Sequence, residues 1–275
     1  MRSVWVALLG VLMLTGSARA GEEEGPILVP PAWDDWVLYY NGFEGPGGRP
    51  MRRATDFAPK GVDHELPLDD RGLFGACARL KAGSPIHLKG AAVAPHRPMT
   101  LSFWWALERD AVLASSTGWL HYRGPGRRHI HFCMRGKGKW CNLQRPAGVF
   151  QVYGFPKTDG GRGMQGGFDR AYDLRARVWH HAALVFVSAH RVQAYFDGRL
   201  WREITFKGVG LQTEDRLHDL RVGPEYRSQE SLLFDEWVIL DRALEPGMIE
   251  DYYKSLSCLH DPGSDPATRG RPPSR

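Results

Sequence analysis

Hydrophobic and polar positions alternate with period two over much of this chain. Met99, Leu101, Phe103, Trp105 and Leu107 fall on one face of a strand, and Thr100, Ser102, Trp104 and Ala106 on the other. His129 to Met134 repeats the pattern, with Ile130, Phe132 and Met134 opposite His129, His131 and Cys133. Val178–Val187 is apolar on both faces, as a central sandwich strand is. Arg191–Phe196 alternates again and meets Asp197-Gly198, which predicts a type I′ hairpin turn, and Leu200–Phe206 returns from it. Trp36–Phe43, Gly72–Leu80, Ile86–Leu88, Leu220–Val222 and Leu232–Leu240 complete the predicted strands. One helix is predicted, because Ile249, Tyr252, Tyr253 and Leu256 recur at helical spacing and Pro246 suits a first turn.

Composition supports an all-β reading. Gly (32) and Pro (19) are abundant among the 275 residues, which favours many turns. Ten Trp, nine Tyr and twelve Phe suit both strands and sugar-stacking surfaces. Residues 1–20 read as a secretory signal peptide: Arg2, the apolar run Val4 to Leu14, then Ala18-Arg19-Ala20 before Gly21. The expected location is therefore secreted or periplasmic, with no membrane span. Residues 21–33, acidic and then Pro-rich, read as a linker, 34–258 as one domain, and 259–275 as a disordered tail.

An exported chain with four cysteines is expected to hold two disulfides. Cys133 and Cys141 bracket a Gly136-Lys137-Gly138 centre, so a hairpin bridge between them is favoured, leaving Cys77 with Cys258. A metal site from His129, His131, Cys133 and Cys141 is the alternative, but its spacing matches no standard zinc pattern.

Several segments together resemble a known family. Val178-Trp179-His180-His181-Ala182, followed by Val192-Gln193-Ala194-Tyr195-Phe196-Asp197-Gly198, resembles a core motif of laminin G-like, concanavalin A-like lectin-glucanase jelly rolls. Leu233-Phe234-Asp235-Glu236-Trp237-Val238-Ile239 through Arg242-Ala243-Leu244 is similar to their closing strand. Thr100-Leu101-Ser102-Phe103-Trp104, Tyr39 to Gly45 and Gly72 to Gly75 are similar to earlier strands. The resemblance runs from about Trp36 to Leu256 and implies a two-sheet antiparallel jelly-roll sandwich. It also implies a structural calcium held by Glu44 and Asp235, since calcium takes oxygen ligands from carboxylates and carbonyls. Glu245-Pro246 stands where such domains often have a Ser or Thr helix cap, so that cap must be made otherwise. Gly154–Gly167 has no counterpart in the family, and without a following Gly-Lys-[Ser/Thr] it is no P-loop.

Glucanases on this fold need two or three carboxylates facing one cleft. Glu108-Arg109-Asp110 lacks a third, and the adjacent Asp235 and Glu236 are expected on opposite faces of a strand. A lyase needs a Tyr or His base beside an Arg; Tyr122, Arg128, His129 and His131 are available by type alone. Charge is more informative. From Ala111 to Thr158 there is no acidic residue and there are eight basic ones, which makes a local positive field. Aromatics are interleaved there, and a sugar ring stacks on such residues while Arg binds carboxylate or sulfate. The expected ligand residues are Trp104, Trp119, Tyr122, Arg127, Arg128, His129, His131 and Trp140. The expected partner is a polysaccharide or cell-surface glycan, with an anionic one favoured; export argues against nucleic acid. The expected role is non-catalytic glycan binding, against a polysaccharide-degrading enzyme or a structural protein-interaction module. His180 and His181 are expected to be structural.

Overall fold

The computed structural model describes residues 28–43, 52–53, 67–81, 86–89, 97–108, 116–123, 129–135, 148–155, 171–172, 177–205, 219–222 and 231–257. A 3-10 helix, Pro31–Trp36, leads into β1 (Val37–Asn41), β2 (Arg52–Arg53), β3 (Leu68–Asp69), β4 (Cys77–Leu80) and β5 (Ile86–Lys89). Next come β6 (Met99–Leu107), β7 (Ser116–Arg123), β8 (His129–Arg135), β9 (Gly148–Phe155) and β10 (Ala171–Tyr172). The chain continues through β11 (His180–Ser188), β12 (Arg191–Phe196), β13 (Arg199–Thr205), β14 (Asp219–Val222), β15 (Leu232–Leu240) and α1 (Pro246–Ser257).

Among the described residues the strands form two antiparallel sheets of a β-sandwich. The larger has nine strands, in the order β13-β12-β11-β6-β15-β1-β2, with β4 joining β15 and β3 joining β4. The smaller has six, in the order β10-β9-β8-β7-β14-β5. The all-β reading with a closing helix therefore holds.

The central strands of the larger sheet are buried on both faces. Every residue of β6 and of β15 is buried. One face carries an aromatic core in which Phe103 meets Phe234 at 4.8 Å and Tyr39 meets Trp237 at 5.0 Å between ring centroids. The other carries Tyr40, Trp104, Ala183, Tyr195, Leu233, Val238 and Leu240, which cluster with Trp33 and with Ile249, Tyr252 and Leu256 of α1. Burying each such large side chain contributes about 1.5–3 kcal/mol. The 3-10 helix and α1 thus cover the second face, and Trp33 packs on Tyr252 at 5.1 Å. This corrects the end of the expected linker: Val29 and Trp33 are buried, because an apolar ring there has a surface to cover.

The Asp197-Gly198 turn forms as expected, with φ of +46° and +73°. Gly72–Leu80 is strand only from Cys77. Gly72 to Gly75 instead form a turn, closed by Gly72 N–H donating to the Gly75 carbonyl at 2.7 Å. The start of α1 needs no Ser or Thr cap. Pro246 has no N–H, and Met248 and Ile249 donate to the Glu245 carbonyl at 3.0 and 3.3 Å. Among the described residues no helix is long and apolar enough to cross a membrane.

Candidate functional site

In an antiparallel pair, residues directly opposite one another share a face, so register alone sorts the smaller sheet. One row across five strands reads Ile86, Val222, Leu120, Phe132 and Val152. The row in phase with it reads Leu88, Leu220, Tyr122, Ile130 and Gly154. Both rows are apolar by residue type, and Ile86 is buried. The row of the opposite face reads His87, Arg221, His121, His131 and Tyr153. Beside it on the same face stand Lys89 opposite Asp219, and Arg123 opposite His129, which is opposite Phe155. The polar face is thus rich in histidine and in fixed positive charge.

The expected ligand residues separate on this frame. His129 and His131 both belong to the polar face, on β8. Tyr122 does not: it pairs with Ile130 and Leu220, so its register position lies on the apolar face, one residue out of phase with His121. Trp119 sits at a register shift between Gly118 and Leu120. Arg127, Arg128 and Trp140 lie outside the described residues. Trp104 requires a correction. It is 1% exposed, stacked on Tyr253 at 5.6 Å and beside His181 at 5.3 Å, because α1 covers its face of the sheet. Its ring offers no surface to a ligand.

Sequence reasoning missed His87, His121 and Arg221. The alternation Trp119, His121, Arg123 was readable on β7. Nothing in the spacing places β5 and β14 beside it; only the sheet order does.

The carboxylates considered for catalysis are engaged elsewhere. Glu108 pairs with Arg79 and lies 3.8 Å from Arg71, while Asp110 is outside the described residues. Asp235 and Glu236 were expected on opposite faces, and that is corrected by a bulge. The register of β15 against β6 shifts between Asp235 and Val238, and Glu236 takes a φ of +49°. Both carboxylates then join the helix-covered side. Leu73 N–H donates to Asp235 Oδ2 at 2.7 Å, Glu236 N–H donates to Asp235 Oδ1 at 2.9 Å, and Tyr40 Oη donates to Glu236 Oε2 at 2.7 Å. Burial, reinforced by Glu236, pushes the Tyr40 phenol far up, and burial raises Tyr252 in the same way. Asp235 and Glu236 are at most 1% exposed, so neither reaches a substrate.

Glu44, the other residue of the expected calcium site, lies outside the described residues. Among the described residues no three His, Cys, Asp or Glu side chains group as a metal site. Cys77 is fully buried on β4 and Cys133 lies on β8, opposite Gln151; Cys141 and Cys258 are outside the described residues.

The two central histidines are built into the framework. His180 Nδ1 lies 3.0 Å from Asp197 Oδ2, and its ring is 5.2 Å from both Trp105 and Phe196. His181 Nε2 lies 2.8 Å from Ser102 Oγ, and the backbone N–H of His181 donates to Asp197 Oδ1 at 2.9 Å. Complete burial pushes the His181 imidazole down to about 4, so it is neutral at physiological pH.

No protein-family model matches the sequence, and no curated protein matches it. Solved structures share its fold. The botulinum neurotoxin serotype D binding domain superposes with a TM-score of 0.57 at 12% identity, over 82% of this chain and 53% of that one. The same toxin's ligand binding domain in complex with N-acetylneuraminic acid gives 0.57 at 11% identity, over 82% and 52%. Domain 4 of AbnA, a GH43 extracellular arabinanase from Geobacillus stearothermophilus, in complex with arabinotriose, gives 0.50 at 19% identity, over 71% and 86%. The chain spans about half the length of the toxin binding domains it matches.

Proposed function

We propose that this chain is a non-catalytic carbohydrate-binding module of the laminin G-like jelly-roll type, and that its ligand is an anionic glycan. The observation that carries this reading is the placement of the acid-free basic segment. Residues 111–158 supply β7, β8 and β9, which lie side by side in the smaller sheet and bring His121, Arg123, His129 and His131 to one face. Clustered positive positions on a sheet face favour carboxylate or sulfate groups. The neighbours caught with arabinotriose and with N-acetylneuraminic acid show that proteins of this fold hold sugars. The engagement of Glu108, Asp235 and Glu236 in ion pairs and buried hydrogen bonds favours binding over hydrolysis.

Export by the signal peptide 1–20, the bridges Cys133–Cys141 and Cys77–Cys258, and a calcium ion held by Glu44 and Asp235 belong to the same reading. The ion would supply a fixed positive centre that ties the opening and closing strands.

The test is migration of residues 21–275 through native gels cast with neutral, uronate-containing or sulfated polysaccharides, stained afterwards for cleared zones. Retardation without clearing is expected. Clearing would make the protein an enzyme, and free migration in every gel would point to a protein partner.

A further inference from the structure

We infer that Arg79 and Glu108 form a subsite for the hydroxyl groups of a neutral sugar, at the end of the larger sheet where β4, β15 and β6 meet. The inference rests on the glycan-binding reading and adds a second kind of contact to it, one that reads hydroxyls rather than charge.

The two residues come from distant parts of the chain. Arg79 of β4 stands opposite Leu233 of β15, and Leu233 stands opposite Ala106 of β6. Glu108 follows the end of β6, and its backbone N–H donates to the Ser231 carbonyl at 3.3 Å. Arg79 thus reaches over β15, and its Nη2 donates to Glu108 Oε1. Arg71 lies beside them, with Nη2 3.8 Å from Glu108 Oε1.

Two ion pairs sit in this cluster, and only one is complete. Arg71 donates through Nε to Asp69 Oδ1 at 2.6 Å and through Nη2 to Oδ2, so guanidinium and carboxylate are matched fork to fork. Arg79 and Glu108 have the same two groups and make one bond of the two. Arg79 Nε and Glu108 Oε2 are both buried, and among the described residues neither has a hydrogen-bond partner. A donor and an acceptor are thus left over on the two sides of one ion pair, each at a cost in desolvation.

The chemistry of the gap selects its occupant. An anion accepts from the Arg79 N–H but is repelled by the Glu108 carboxylate, and a cation meets the reverse problem. A hydroxyl satisfies both with one oxygen: it accepts from Arg79 Nε–H and donates to Glu108 Oε2. Fixed charge agrees. Arg71 and Arg79 are balanced by Asp69 and Glu108, and Asp70 adjoins Arg71, so these five residues hold no positive excess for a carboxylate or sulfate. The way in runs along the guanidiniums. The Arg71 and Arg79 side chains are 37% and 35% exposed and that of Glu108 is 15% exposed, so flexible arginine stems lie over a more deeply set carboxylate.

The experiment measures dissociation constants of residues 21–275 for dextran, arabinan, galactomannan and heparin, at 50 and 500 mM salt. Arg79→Lys keeps the charge and removes the Nε donor. Glu108→Gln keeps the shape and replaces one acceptor oxygen with an amide. Arg191→Lys, at an exposed ion pair with Glu203, is the control. Each is checked for folding by circular dichroism and melting temperature. At least one neutral polysaccharide is expected to bind, with an affinity that changes less than about twofold between the salt levels, because hydroxyl contacts are not screened. Arg79→Lys and Glu108→Gln should each weaken that binding about tenfold, and Arg191→Lys should leave it unchanged. Heparin binding at 50 mM salt should stay within about threefold in all three variants. If Glu108→Gln does not fold, Arg79→Lys decides alone. Unchanged neutral binding in the folded variants would mean that the gap holds only water, and overturns the subsite. An equal loss for heparin assigns the cluster to charge and overturns it too, as does retention by heparin alone; all three results leave glycan binding standing. No binding to any of the four overturns both.

Discussion

Asp235 joins two distant pieces of chain through backbone N–H groups, those of Leu73 and Glu236. Replacing it with Ala strands both donors in a buried setting. The expected loss is roughly 2–5 kcal/mol in urea unfolding, and Asp235→Asn, which keeps one acceptor oxygen, should lose less. A loss within experimental error for Asp235→Ala would mean that other acceptors serve those donors. Because that variant is destabilised in itself, the calcium reading is better tested at Glu44. Calcium should raise the melting temperature of the wild-type protein and leave Glu44→Ala unmoved; a rise that survives would place the ion elsewhere. His181 supplies a pH signature. Its folded value of about 4 lies below the ordinary 6.5, so between these limits the unfolded chain holds a proton that the folded chain does not. Stability is full above pH 6.5 and falls as pH drops toward 4, by roughly 3 kcal/mol in total. The carboxylates of Asp69, Glu203 and Glu250, held low first of all by hydrogen bonds from Arg71, Arg191 and Lys254, lose their contributions only further into acid. A His181→Gln variant should therefore show a flatter melting curve between pH 6.5 and 5, and an unchanged slope would assign the effect to other groups.

At the level of elements, the Asp197-Gly198 hairpin is both a turn and a docking point. A Cβ added at Gly198 would come within 2.9 Å of Tyr253 on α1, at a φ of +73° that side chains rarely adopt. Gly198→Ala should cost about 1–3 kcal/mol, and combining it with Tyr253→Ala should give less than the sum of the two. Additive losses would show that backbone strain alone is responsible. This turn was legible in the sequence because its chemistry is local, and so was β6, whose alternation survives intact from Met99 to Leu107. The fate of Trp104 was not legible. Alternation placed it correctly on the face opposite Leu101 and Phe103, but period two cannot say that a helix 150 residues away lies on that face. The bulge at Glu236 was hidden for a related reason, since a non-glycine residue with positive φ leaves no mark in the pattern. His129 and His131 were found on their face by local alternation, whereas Arg221 and His87 joined them through strand order, which no local period encodes.

Across the whole molecule, charge is partitioned by segment. The eight basic residues between Ala111 and Thr158 have no acidic neighbours in that stretch. Reversing Arg127 and Arg128 to Glu should weaken retention by an acidic polysaccharide most at low salt, where screening is least. Unchanged retention there would remove those two residues from the site. The two layers also differ in their faces. In the smaller sheet, register sorts apolar rows from a polar one. In the larger sheet, β6 and β15 face the aromatic core on one side and the cluster with the 3-10 helix and α1 on the other, so their side chains are committed twice over. A substitution in β6 or β15 is therefore felt in two packed layers at once, the aromatic core on one side and the helix-covered cluster on the other.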